Sequence, residues 1–174
     1  MAVAKKKVTA SKPKGSALAR ATAEVDVAKP REAKFNEGDR LICTVDAIEQ
    51  PTPKAGKAEV LIVKFTICEG QPGEGEARAQ VFPMSQKALS STAPRIKAMA
   101  MALCNAESEE EYDAAYPCGE FVDGLLGLEE EVTAEQIEES QSYLGAAKVR
   151  VICTRGNDDD EGDYYRNVGF ERVG

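Results

Sequence analysis

Residues 58–68 read AEVLIVKFTIC, an alternation that only an extended strand uses well. Leu61, Val63, Phe65 and Ile67 fall on one face, and Val60, Ile62, Lys64 and Thr66 on the other. A second run lies just upstream, at residues 40–49 (RLICTVDAIE), with Leu41, Cys43, Val45 and Ala47 sharing a face. Between them QPTPKAGK holds two prolines and a glycine, so residues 50–57 form a loop. Residues 69–75 (EGQPGEG) make a turn, and residues 76–82 return as a third strand. Together they predict a three-stranded antiparallel meander.

Residues 83–147 change period. Pro94 suits an early helical position, with Ile96, Met99, Ala100 and Leu103 following at helical spacing. Ser108 is placed to cap a short acidic helix reaching Tyr116. Thr133 and Gln136 have capping-box spacing, Gly145 is a stop for a helix of about three turns, and Gly124 and Gly127 are expected in a linker. Strand alternation resumes at residues 148–154, KVRVICT, with Val149, Val151 and Cys153 inward. Residues 155–163 then read as an exposed turn and 164–173 as the returning strand. The order β-β-β-helices-β-β predicts a mainly β fold with a helical insert. A five-stranded oligonucleotide/oligosaccharide-binding (OB)-like barrel has its helix between the third and fourth strands. An open α+β sheet is the alternative.

Charge divides the chain more sharply than hydropathy does. Residues 1–34 carry +6, residues 35–104 none net, residues 105–147 carry −13 with no basic residue, and residues 148–174 carry −1. This predicts an extended basic arm at 1–34, a domain at 35–174, and an acidic insert at 105–147. The arm, with Lys5, Lys6, Lys7, Lys12, Lys14 and Arg20, lacks large apolar residues that could offset its ordering entropy. A solubilising tail is its simplest role and phosphate binding the sharper one. No run approaches a membrane span, and the N-terminal residues do not resemble a secretory signal, so a cytoplasmic location is expected.

The absence of histidine removes every mechanism that needs imidazole. Five cysteines without a CxxC pair fit neither a disulfide scaffold nor a zinc finger. Cys43, Cys68, Cys104 and Cys153 lie in apolar runs and read as core, leaving Cys118 as the exposed thiol. No GxxxxGK[ST], GxGxxG or GxSxG motif occurs. Asn157, Asp159 and Glu161 mimic the start of a calcium loop, but Val168 stands where its closing glutamate belongs. The expectation is a protein without enzymatic activity, cofactor or metal.

Several stretches resemble small phage single-stranded-DNA-binding proteins: GDRLICTVDAIEQPTPKAGK, VKFTICEGQPGEGEARAQVF, the helix ending ALCNA, and KVRVICTRGNDDDEGDYYRNVGF. The resemblance spans residues 36–173, with an expanded insert at 107–147. It implies an OB fold that binds exposed single strands during phage replication or recombination.

Single-strand binders combine cations that track phosphates with rings on which bases stack. The first loop offers Lys54 and Lys57, the second and third strands Lys64, Arg78 and Phe82, and the last two strands Lys148, Arg150, Tyr164, Tyr165 and Arg166. Phe82 follows a period-2 run and reads more readily as core. Tyr164 and Tyr165 are adjacent and so face opposite ways. The acidic hairpin Asp158, Asp159, Asp160, Glu161 and Asp163 works against phosphate binding there. The insert could dock basic replication proteins, or compete with DNA for the cationic groups. Competition predicts that removing residues 107–140 tightens binding. The alternative to DNA binding is a virion-associated or replisome adaptor assembling through arm and insert, and a third reading is an acidic mimic of DNA.

Overall fold

The structure, a computed structural model, describes residues 33–158 and 164–174, with backbone alone for 157–158 and 164–166. Residues 1–32 of the basic arm and the hairpin tip at 159–163 therefore lie outside the described residues. Five strands form one antiparallel sheet: β1 (Arg40–Glu49), β2 (Val60–Ile67), β3 (Ala77–Pro83), β4 (Lys148–Asp158) and β5 (Tyr164–Arg172). Their spatial order is β3-β2-β1-β4-β5, so the first strand in sequence is the middle of the sheet. Four α-helices lie between β3 and β4: α1 (Gln86–Leu103), α2 (Glu109–Ala115), α3 (Glu120–Leu126) and α4 (Ala134–Gln141). The fold is mixed α+β.

The sheet is not closed into the barrel that the strand order suggests. Among the described residues β3 and β5 are unpaired edges. Helix α1 packs on β3, β4 and β5 and ties both edges. Thr92 Oγ1, in a buried side chain, donates to the Pro83 carbonyl of β3 at 2.8 Å. Three residues on, Arg95 Nη2 donates to Asn167 Oδ1 of β5 at 2.7 Å. The outer edge of β3 is also partly occupied, because the Ala79 N–H donates to the Ala33 carbonyl at 3.0 Å. A sheet edge left bare would be a template for pairing with another chain, and these contacts blunt it.

One core lies between the inner sheet face and the helices. Phe35, Phe65, Phe82 and Phe170 form its aromatic centre, with Leu61, Val63, Val149 and Val151 around them. Ile96, Met99 and Leu103 descend from α1, and Phe121 and Leu125 from α3. The predicted caps form: Ser108 Oγ accepts from the Glu111 N–H at 3.1 Å, and Thr133 with Gln136 completes a reciprocal capping box.

Four local expectations are corrected. Pro94 is not early: α1 begins eight residues before it, capped by Ser85, and carries the proline inside. Gly124 lies within α3, and only Gly127 terminates a helix, with a left-handed φ of 69°. α4 ends at Gln141, before Gly145, whose N–H instead donates to the Val45 carbonyl at 2.7 Å. β4 also continues to Asp158, past the expected turn at 155.

β1 carries one irregularity that alternation alone does not reveal. Its register against β2 shifts between Val45 and Ala47, inserting Asp46 as an extra residue. The shift puts Ala47 beside Lys64 rather than in the core, and Ile48, opposite buried Val63, packs against the core instead. Leu41, Cys43 and Val45 are buried as expected.

Cys43 and Cys153 are buried, Cys68 and Cys104 half-buried, and Cys118 exposed. Burial pushes the Cys43 thiol up to about 12, with nearby Cys68 adding to the rise. The folded state thus holds the proton longer than the unfolded chain does. This contribution is full below about pH 8.5 and is lost as pH rises toward the folded value. The urea midpoint should therefore fall above that pH, and Cys43→Ala should make the fall shallower. An unchanged slope would show that this thiol does not contribute.

Candidate nucleic-acid interface

The strand pleat sorts the predicted cations. Val149 and Val151 are fully buried, so their neighbours Lys148 and Arg150 emerge on the exterior face of β4. Leu61, Val63 and Phe65 are buried in the same way, so Lys64 emerges on the exterior of β2. Lys148 lies opposite Thr44, and Thr44 opposite Thr66, which links these strands in one row across the exterior. Lys54 and Lys57 are exposed in the β1–β2 loop, at the Glu49 end of the sheet. A turn between them is closed by the Lys57 N–H to the Lys54 carbonyl at 2.9 Å. Arg150 pairs with Ile42 toward the opposite end.

Carboxylates share this surface. Lys64 Nζ lies 2.9 Å from Glu49 Oε1. Glu171 sits 3.8 Å from Arg150 and 3.2 Å from Arg40, a cation on this face that its position at the strand start concealed in the sequence. Asp46 projects from the β1 bulge and accepts from Thr44 Oγ1 at 2.8 Å and from Thr66 Oγ1 at 2.6 Å. Lys148 is exposed and makes no ion pair among the described residues. Exposed ion pairs are worth only about 0–1 kcal/mol, so a phosphate can displace these carboxylates.

Arg78 and Phe82 are not on this surface. Arg78 lies opposite buried Phe65, its side chain only 12% exposed, and pairs with Glu76. Phe82 is 1% exposed and packs 6.1 Å from Phe170. Both belong to the inward alternation of β3, which begins at Arg78 because Leu61 pairs with Phe82 and Phe65 with Arg78. Neither can meet a ligand on the exterior face.

The rings whose side chains are described lie in two inward clusters, the four core phenylalanines and a second set made by Tyr112, Tyr116, Phe121 and Tyr143. Exterior positions on β2 and β3 instead include the aliphatic Val60, Ile62 and Val81, the last 43% exposed. Tyr164, Tyr165 and Arg166 occupy the start of β5, Tyr164 opposite Asp158 and Arg166 opposite Arg155. Their side chains are outside the described atoms.

The acidic insert is structural as well as charged. Tyr112, Phe121 and Leu125 belong to the core, so removing 107–140 would dismantle the fold rather than test competition with DNA. Glu129, Glu130 and Glu131 are exposed in the α3–α4 connection and can be neutralised without touching it.

Among the described residues no group of three or more cysteine or carboxylate side chains is arranged to hold a metal ion, and no helix is long and apolar enough to cross a membrane. No family model matches this chain, and no curated protein matches it either.

Proposed function

We propose that this chain is a non-catalytic protein with an OB-like strand arrangement that binds single-stranded nucleic acid, without sequence preference, on the exterior face of its sheet. The observation that carries the reading is the emergence of Lys64, Lys148 and Arg150 on that one face, with Lys54 and Lys57 at its end. A central β1 flanked by β2 and β4, with helices between β3 and β4, supports the OB-like assignment, as that fold is a partly open five-stranded barrel. The stacking ring falls to Tyr164 or Tyr165. The phage-like sequence features favour a role in replication or recombination.

Fluorescence anisotropy with labelled oligo-dT tests the reading. Three to five phosphate contacts predict that the dissociation constant rises roughly 15- to 130-fold from about 50 to 200 mM salt. Lys148→Ala should weaken binding several-fold and flatten the salt dependence, while neutralising Glu129, Glu130 and Glu131 with glutamine should tighten it at low salt. Absent or salt-independent binding would exclude a phosphate-tracking face.

A further inference from the structure

The strongest unassigned feature is a groove of about 840 Å³ between α1 and the α2–α3 segment, with Leu61 and Met84 at its sheet end. Its walls are mainly apolar and adaptable, including the half-buried Met84, Met101, Val122 and Leu126. Thioether side chains of this kind repack around varied partners.

Two further observations say what fits. Tyr112 lines the groove, is 3% exposed, and its hydroxyl is buried without a hydrogen-bond partner among the described residues. An unmet buried hydroxyl costs about 1–3 kcal/mol, which a polar group would recover on reaching it as the adaptable walls repack. The lip is anionic: Glu109 and Asp113 line it, and its one cation, Lys97, is held by both at 3.3 and 3.0 Å. They lie in a segment, residues 105–147, with thirteen acidic residues and no basic one.

We propose that this groove docks a cationic amphipathic segment of a partner protein. Its apolar side chains enter between α1 and α3, its lysines or arginines share Glu109 and Asp113 with Lys97, and one polar group meets the Tyr112 hydroxyl. The volume and apolar walls of the groove suit a peptide, and the charge of its lip selects a basic one. The proposal stands apart from nucleic-acid binding on the opposite, exterior sheet face.

The test uses the full chain and a labelled helical peptide of about sixteen residues with leucines at i, i+3, i+4 and i+7 and lysines elsewhere. Saturable binding is expected, with at least tenfold weaker binding of the same peptide carrying glutamate for lysine. Ala93→Trp, at an exposed α1 position on the groove wall, should weaken binding about tenfold without shifting Tm. Tyr112→Phe should weaken it roughly two- to tenfold while leaving Tm equal or higher, because it deletes an unmet group. Oligo-dT affinity measured on the same samples should not move with either substitution, so the two readings fail separately. Peptide affinity indifferent to Ala93→Trp or to Tyr112→Phe would overturn the proposal. So would loss of binding only on neutralising Glu129, Glu130 and Glu131, which would mean diffuse charge attraction.

Discussion

Phe65→Ala should destabilise the protein by about 3–5 kcal/mol, the range for removing a buried aromatic ring. Phe65 is fully buried and makes an edge contact with Phe35 at 5.3 Å and a stacked one with Phe170 at 5.9 Å. It thus joins the segment ahead of β1, the strong strand β2, and the final strand β5 through one ring. A domain of this size has roughly 5–15 kcal/mol to lose, so the variant sits near the limit of folding. With a slope near 2 kcal/mol per molar, the urea midpoint should drop by roughly 2 M. A drop below about a quarter of that would mean that the four phenylalanines do not organise the core. Lys148→Ala, the exterior comparison, should stay within about 0.5 kcal/mol.

Gly124→Ala should also destabilise, and here two effects oppose each other. Alanine in place of glycine inside a helix gains about 1 kcal/mol in propensity. Gly124, however, is where α3 meets α4. A Cβ there would overlap Ser140 Oγ and lie 2.8 Å from the Ser140 Cβ and 3.0 Å from the Gln136 backbone carbonyl. The carbonyl is fixed by its helix, so the helices must separate, at an overpacking cost of about 1–3 kcal/mol. Net loss is expected, and a larger one for Gly124→Val. Adding Ser140→Gly to Gly124→Ala should recover part of the loss, since it removes the nearest obstruction. A gain in stability for Gly124→Ala alone would show that α3 and α4 are less closely packed than these distances require.

The order of elements was legible because the two-residue period at 40–49, 58–68, 76–82 and 148–154 is broken by proline- and glycine-rich loops and by one change to helical spacing after residue 83. The capping residues Ser108 and Thr133 were legible because their chemistry is local. What escaped was decided by tertiary contact. Asp46 looks like one outward residue in a regular strand, yet the bulge there reverses the facing of Ala47 and Ile48. Pro94 is tolerated inside α1, a position no local rule favours, in a helix anchored through Thr92 and Arg95 to both sheet edges. At the candidate interface, Lys64, Lys148 and Arg150 followed from alternation, whereas Arg78 was misplaced. Its inward position follows from sharing a strand face with core Phe82, and its charge alone made it look like a surface cation.

Because β1 occupies the centre of the sheet, its second neighbour arrives late. Thr44 pairs with Lys148, roughly a hundred residues later in the chain, after all four helices have been made. During synthesis the meander of β1, β2 and β3 can assemble as soon as it leaves the ribosome, but one flank of β1 stays bare until β4 emerges. Among the strand pairs of the sheet, β1 with β4 is the most separated in sequence, so its loop-closure entropy has to be met before the second flank of β1 is covered.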